Sequence, residues 1–265
     1  MNNKLRFELS FGNIIQLENK LNFCKLNNIN NINIPCKGPI KKELYNSTFE
    51  YIKNNFREYN VVFHYSLYHQ YSKNKDNSYM NLLEFVRKCN LYMHYEILLV
   101  SGSNKKKNFD VIDVLNNLKK EKNIKVKLGI VYNPYLSKYY DISSERDRYV
   151  MKLSSGLISS AWLQFGTDIN LLEREVNHLK KINQNRKINL FGSLLIPSKQ
   201  FLARFKFRPW RGVYLSDKYL NSLVESDKIT KNIIDFYLSN SIIPLVETEL
   251  STEKQFLEAQ NFIKL

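Results

Sequence analysis

The residues best suited to chemistry stand near the ends of short apolar runs. Glu8 lies in Leu5-Arg6-Phe7-Glu8-Leu9. Period-two alternation puts Arg6, Glu8 and Ser10 on one face of that run and Leu5, Phe7 and Leu9 on the other. If the apolar face packs outward against helices, Glu8 points to the enclosed side of the sheet. Burial there disfavours a charged carboxyl and suits a proton donor working near neutral pH. An internal ion pair with Arg6, or with a lysine of a neighbouring strand, fits the same residues equally well. Gln164 closes the run Ser160-Ala161-Trp162-Leu163. Its amide both donates and accepts, which suits a flat heteroaromatic ligand and equally suits a loop backbone. His64, between Val61-Val62-Phe63 and Tyr65, ends another run, as a structural histidine or as a functional one. Glu247 and Glu249 alternate to one face at the last run and make a carboxylate pair available opposite Glu8. Lys152 stands near the end of a helical segment before Gly156, where the helix dipole favours a cation.

Other chemistries lack their residues. The three cysteines, Cys24, Cys36 and Cys89, form no CxxC pair, and His64 and His69 have no third ligand at metal-binding spacing. A zinc site is not expected, and the thiols read as reduced. No GxSxG nucleophile motif occurs, and Ser10-Phe11-Gly12-Asn13 is not a dinucleotide-binding glycine turn.

The elements that position these residues follow a regular order. Apolar period-two runs mark strands at Lys4–Ser10, Ile29–Pro35, Asn60–Ser66, His94–Ser101, Ile124–Tyr132, Leu157–Phe165, Ile188–Ile196 and Ser241–Glu247. Helical segments fall between them, at Asn13–Phe23, Lys41–Phe56, Tyr79–Cys89, Phe109–Lys120, Ser143–Ser154, Asn170–Lys181, from Lys199, at Lys228–Leu238, and at Thr252–Ile263. Strict strand-then-helix alternation, at a spacing of roughly thirty residues, predicts a single-domain (β/α)₈ barrel with a parallel sheet. A doubly wound open sheet is the alternative. The stretch Ser198–Asp227 is longer than an ordinary connection and is expected to cap one end. In such a barrel, function sits at the carboxyl ends of the strands.

Composition is consistent with one packed domain. The 265 residues are 43% hydrophobic and 13% aromatic, enough for a large core. No run is long and apolar enough to span a membrane, and the amino terminus lacks the apolar stretch of a secretory signal, so a cytoplasmic address is expected. The formal net charge of +15 comes mostly from scattered lysines, apart from Lys105-Lys106-Lys107 and Lys119-Lys120. Such runs are mostly solvated loop surface, so neither nucleic acid nor membrane is an expected partner, although the field favours anionic small molecules.

Arg6-Phe7-Glu8-Leu9 resembles the SFEFFPPK opening of methylenetetrahydrofolate reductases. The block from Arg148-Tyr149-Val150-Met151-Lys152 through Gly156 to Gln164-Phe165-Gly166-Thr167-Asp168 is similar to that family's KRKVDAGADFIITQFFFD. Leu190 to Pro197 resembles the next strand, His64 matches the histidine of PHLTC, and Tyr132 the tyrosine of AAYPEGHP. The motifs are short, but their order spans nearly the whole chain. The resemblance implies that residues 1–265 form one reductase barrel without the family's regulatory domain. It implies Glu8 as catalytic acid, Gln164 on the folate substrate and the nicotinamide, and His64, Tyr132 and Lys152 as remaining cofactor contacts. The reaction implied is reduction of 5,10-methylenetetrahydrofolate to 5-methyltetrahydrofolate with NAD(P)H. A homo-oligomer is compatible with the sequence.

Several departures bear on the flavin. Ser101-Gly102-Ser103 stands where the family has Arg-Gly-Asp, Asn133-Pro134-Tyr135-Leu136 replaces PEGHP, and Met151 replaces an arginine. The contacts that orient FAD are thus depleted, while the acid and the glutamine persist. Arg204-Phe205-Lys206-Phe207 with Gly212-Val213-Tyr214-Leu215 resembles the late segment of flavin-independent reductases of this barrel type. The alternatives are a degenerate folate- or partner-binding barrel, and an oxidoreductase or lyase of the same superfamily acting on another small molecule.

Overall fold

The computed structural model describes residues 5–36, 42–102 and 109–263. Lys4, Lys41, Ser103 and the run Lys105-Lys106-Lys107 lie outside the described residues. Eight parallel strands close into one barrel in chain order: β1 Arg6–Glu8, β2 Asn31–Ile34, β3 Asn60–Ser66, β4 Tyr95–Val100, β5 Lys127–Tyr132, β6 Ile158–Leu163, β7 Asn189–Leu194 and β8 Ile243–Val246. The ring closes where Phe7 of β1 stands between Ile32 of β2 and Val246 of β8. Around it run α1 Ile14–Leu26, α2 Lys42–Asn55, α3 Lys75–Cys89, α4 Val111–Leu118, α5 Ile142–Leu153, α6 Ile169–Ile182, α7 Lys199–Phe207, α8 Asp217–Asn221, α9 Leu223–Ser239 and α10 Glu253–Ile263. No helix among the described residues is long and apolar enough to cross a membrane.

Alternation along each strand sorts the side chains into two cores. Phe7, Ile32, Phe63, Ile97, Ile130 and Leu163 face outward and pack with the helices in the main hydrophobic core. Val62, Leu98, Trp162, Phe191 and Leu245 fill the barrel itself. β3 has its expected bounds, and the other expected strands run longer than the observed ones by up to four residues, because the paired part of each stops where its neighbours turn into loops. The helices start at side-chain caps that the apolar period does not register. Asn13, Asn74, Asp110, Asp141, Asp168 and Ser198 each accept a hydrogen bond from a first-turn backbone N–H.

The long connection after β7 is more ordered than the sequence reading expected. It holds the short helix α8, and Phe201, Phe205, Val213, Leu215 and Tyr219 build a small core of their own against Phe165 and Leu195. A parallel bridge between Gly166 and Tyr214 ties this segment to the loop after β6.

Gly192 shows how closely helix and sheet approach. A methyl group there would lie 2.3 Å from the ring of Tyr237, a fully buried residue of α9. Gly192→Ala is therefore expected to destabilise the barrel by about 1–3 kcal/mol through overpacking, read as a lower urea midpoint. An unchanged midpoint would show that the ring moves aside at no cost.

Candidate functional site at the carboxyl end of the barrel

The strand alternation that fills the barrel with apolar rings also brings a polar set inside. Arg6 and Glu8 come from β1, Asn33 from β2, His64 from β3, Glu96 from β4 and Ser160 from β6. Glu8 is 5% exposed, and its Oε2 lies 3.6 Å from Nδ1 of His64. Asn33, fully buried, meets the opposite ring nitrogen, with Nδ2 to Nε2 at 2.9 Å. Arg6 donates from Nε to Asn33 Oδ1 at 2.7 Å and from its terminal nitrogen to the carbonyls of Ile32 and Asn60, both at 2.7 Å. Its guanidinium lies 5.9 Å and 5.8 Å from the ring centroids of Trp162 and Phe191, which stack on each other at 4.0 Å. Burial lowers the pKa of Arg6 to about 10, and the nearby Glu96 opposes the shift. It therefore stays a cation at neutral pH.

Glu96 accepts a hydrogen bond from Ser160, and Trp162 donates its indole N–H to Ser160 Oγ at 2.8 Å. Burial raises the pKa of Glu96, against the opposing effect of Ser160, Arg6 and Trp162. This group needs Gly129. A methyl there would meet Ser160 Oγ at 2.5 Å, Trp162 Nε1 at 2.6 Å and Glu96 Oε1 at 2.9 Å. The glycine thus leaves room for polar side chains in the barrel centre.

The sequence-derived candidates divide into two sets. Glu8 and His64 come together. Gln164 follows Ser160 and Trp162 in the same alternation; it is half-buried, and its backbone N–H bonds the carbonyl of Tyr132 at 2.8 Å. Tyr132 and Lys152 do not join them, which corrects the expectation that they share a cofactor pocket with His64. Tyr132 is one of the outward residues of β5: it packs edge-on against Tyr149 of α5 and donates to Glu175 Oε2 at 2.6 Å. Lys152 is buried between α5 and the sheet, where Nζ donates to the carbonyl of Val131 at 3.1 Å. Burial lowers its pKa, with Glu145 opposing.

Two neighbouring clefts open beside the carboxyl end of β1. One, of about 1160 Å³, is lined by Ser10, Pro197, Arg204, Trp210, Glu247 and Glu249 among others. The second, of about 1010 Å³, shares Ser10 and Glu249 and runs along α1, with Phe11, Lys20, Phe23, Pro35 and Phe256 in its wall. Ser10, Pro35, Pro197, Glu247 and Glu249 are strand-end residues that the barrel rule selects from sequence. Glu247 accepts a hydrogen bond from Ser193 at 2.6 Å. Glu8 lines neither cleft; it sits one inward position deeper on β1 than Ser10.

The sequence reading missed Asn33, although the alternation Asn31-Ile32-Asn33-Ile34 carries the signal: polar residues at period two in a strand whose other face is isoleucine. It also missed Lys20, which donates to the carbonyl of Ser10 at 2.5 Å from a helix turn with no distinguishing pattern.

Together the fold and this polar centre define a (β/α)₈ barrel that holds a buried carboxyl, a buried guanidinium and a half-buried imidazole, with clefts beside its carboxyl end. No family model and no characterised protein sequence matches the chain. Solved structures do resemble it. One is an uncharacterised protein from Clostridium thermocellum that binds two copies of 5-methyl-5,6,7,8-tetrahydrofolic acid, at TM-score 0.67 and 11% identity, covering 99% of this chain and 94% of that one. A GH10 endoxylanase from a sugarcane soil metagenome follows at TM-score 0.56 and 12% identity, covering 94% and 86%. A chitinase domain from Pyrococcus furiosus gives TM-score 0.54 and 10% identity, covering 100% and 97%. At such identities the likeness is one of fold.

Proposed function

We propose that this chain binds a reduced folate at the carboxyl end of its barrel and reduces 5,10-methylenetetrahydrofolate to 5-methyltetrahydrofolate with NAD(P)H. The observation that carries the reading is Glu8, a buried carboxyl at the carboxyl end of β1 with His64 beside it. Support comes from the motif order in the sequence and from the folate-binding Clostridium thermocellum protein, whose fold covers nearly the whole chain.

The chemistry assigns each group one task. Glu8 gives a proton to the nitrogen that leaves the bridging carbon, opening the bridge to an iminium. The reduced nicotinamide then delivers a hydride, with its electron pair, to that carbon, and leaves oxidised. Gln164 holds the heteroaromatic ring through its donor and acceptor pair. The balance is one hydride and one proton per turnover.

The residues implied for FAD do not fit a flavin site. Tyr132 and Lys152 pack against the helices, on the other side of the sheet from His64. No step is therefore routed through a flavin. The purified protein is expected to be colourless and to leave the absorbance spectrum of added FAD unchanged. A yellow protein, or saturable FAD binding, would restore the flavin route.

Calorimetric titration with 5-methyltetrahydrofolate tests the binding half of the reading. Saturable binding is expected, and no heat of binding at any accessible concentration would overturn it. Ligand binding without turnover would instead favour a barrel that binds folate and no longer catalyses.

A further inference from the structure

The barrel centre fixes more than the positions of its side chains; it also fixes where one proton sits. An arginine side chain has donors and no acceptor. Since Arg6 Nε lies 2.7 Å from the Asn33 amide, that contact must be made by the amide oxygen. The other end of the amide, the NH₂ group, is then the one facing His64 Nε2 at 2.9 Å. An NH₂ group only donates, so Nε2 must accept, and an accepting imidazole nitrogen carries no hydrogen. In a neutral ring the hydrogen is therefore on Nδ1, the nitrogen 3.6 Å from Glu8 Oε2. Arg6 is itself pinned by the carbonyls of Ile32 and Asn60, and Asn33 is fully buried, so neither partner turns over without breaking several hydrogen bonds.

We propose that Arg6 and Asn33 act as positioning residues that hold His64 in its Nδ1-protonated tautomer, so that the ring N–H addresses Glu8 and balances the negative charge that grows there as it releases a proton. The catalytic part of this proposal rests on Glu8 being the proton donor; the tautomer itself does not. A donor aimed at a carboxyl gains strength as that carboxyl becomes a carboxylate, so its benefit falls on the transition state rather than on the bound substrate. The separation of 3.6 Å is slightly longer than a hydrogen bond, and bonds of this kind commonly tighten when a ligand closes the site.

The test needs no substrate, so it stands apart from the folate reading. Long-range ¹⁵N–¹H correlation spectra of the labelled full chain report the protonation of each ring nitrogen of the four histidines. The set that disappears in His64→Gln belongs to His64. At neutral pH that set is expected to show a protonated Nδ1 and a bare, hydrogen-bonded Nε2, the reverse of the tautomer that free histidine prefers. In Asn33→Asp the carboxylate accepts where the amide donated, and the hydrogen is expected to move to Nε2. A wild-type ring protonated at Nε2, or a folded Asn33→Asp protein with an unchanged pattern, would overturn the proposal. If Asn33→Asp does not fold, the wild-type spectrum alone decides.

Discussion

Glu8→Gln is expected to lose reductase turnover by about 10²–10⁴-fold, the range that general acid catalysis contributes, while 5-methyltetrahydrofolate binds within a few-fold of wild type. The substitution keeps the size of the side chain and one accepting oxygen. It removes the only group that the proposed mechanism uses to protonate the leaving nitrogen. Loss confined to kcat would mean that the missing interaction belongs to the transition state. Steady-state assays paired with calorimetric binding separate the outcomes: wild-type turnover in Glu8→Gln would remove Glu8 from the mechanism, and loss of binding with kcat preserved would make it a ligand contact.

The largest expected effect on stability lies away from the clefts, at Glu175. This carboxylate is fully buried on α6 and accepts four hydrogen bonds from three side chains. Arg146 of α5 reaches it twice, at 3.0 Å and 2.7 Å, Tyr132 of β5 at 2.6 Å, and Arg174 at 3.0 Å. Removing it leaves the phenol of Tyr132 and a half-buried guanidinium without their main partner. Breaking a buried pair from one side costs about 3–5 kcal/mol. Arg174 is half exposed and adds little. Glu175→Ala is accordingly expected to lower the urea midpoint by more than any other substitution considered above. A change below about 1 kcal/mol would mean that solvent satisfies the group.

The pH dependence follows with a definite sign. Burial by itself would raise the pKa of Glu175, but the hydrogen bonds from Arg146, Tyr132 and Arg174 outweigh it and hold the folded value below the ordinary 4.5. A depressed folded value means the contribution is complete above the unfolded pKa and is lost as pH falls through the folded one. Wild type is thus expected to lose stability below about pH 4.5 more steeply than Glu175→Gln. Parallel curves would show that other carboxylates dominate acid unfolding.

Much of the fold was legible because a barrel repeats one simple instruction. Phe7, Ile32, Phe63 and Leu163 declare their outward face by alternation alone, and each strand is followed by a helix. Helix starts were harder, since caps such as Asp110 and Ser198 act through one hydrogen bond and leave no mark on the apolar period. The site was legible in the same uneven way. Glu8 and His64 stand at inward positions and could be picked from parity. Tyr132 could have been rejected by the same parity: it follows the inward Val131 of β5, so it faces the helices. Motif similarity drew it into the cofactor set against that physical signal. Lys152 is different, because a long side chain on a helix can run along the sheet in several directions, and its contact with the Val131 carbonyl is a tertiary fact. Asn33 was readable in principle, but its partners Arg6 and His64 come from positions 27 and 31 residues away, a proximity that only the closed barrel creates.

The same geometry explains why the interior is a polar network rather than a plain apolar core. A cation at Arg6 is costly to bury, and the structure surrounds it with two carbonyls, an amide, two aromatic faces and the field of Glu96. That arrangement orients the Asn33 amide and, through it, His64. A barrel needing only stability could fill this layer with aliphatic residues, as Val62, Leu98 and Leu245 do beside it.

The most direct test of the central claim is oxidation of NADPH and NADH by the purified protein, followed at the nicotinamide absorbance, with and without 5,10-methylenetetrahydrofolate and with no flavin added. The expected result is oxidation that requires the folate, yields 5-methyltetrahydrofolate in equal amount and is lost in Glu8→Gln. Absence of folate-dependent oxidation, with and without added FAD, in a protein that is folded by circular dichroism would contradict the assignment of reductase activity.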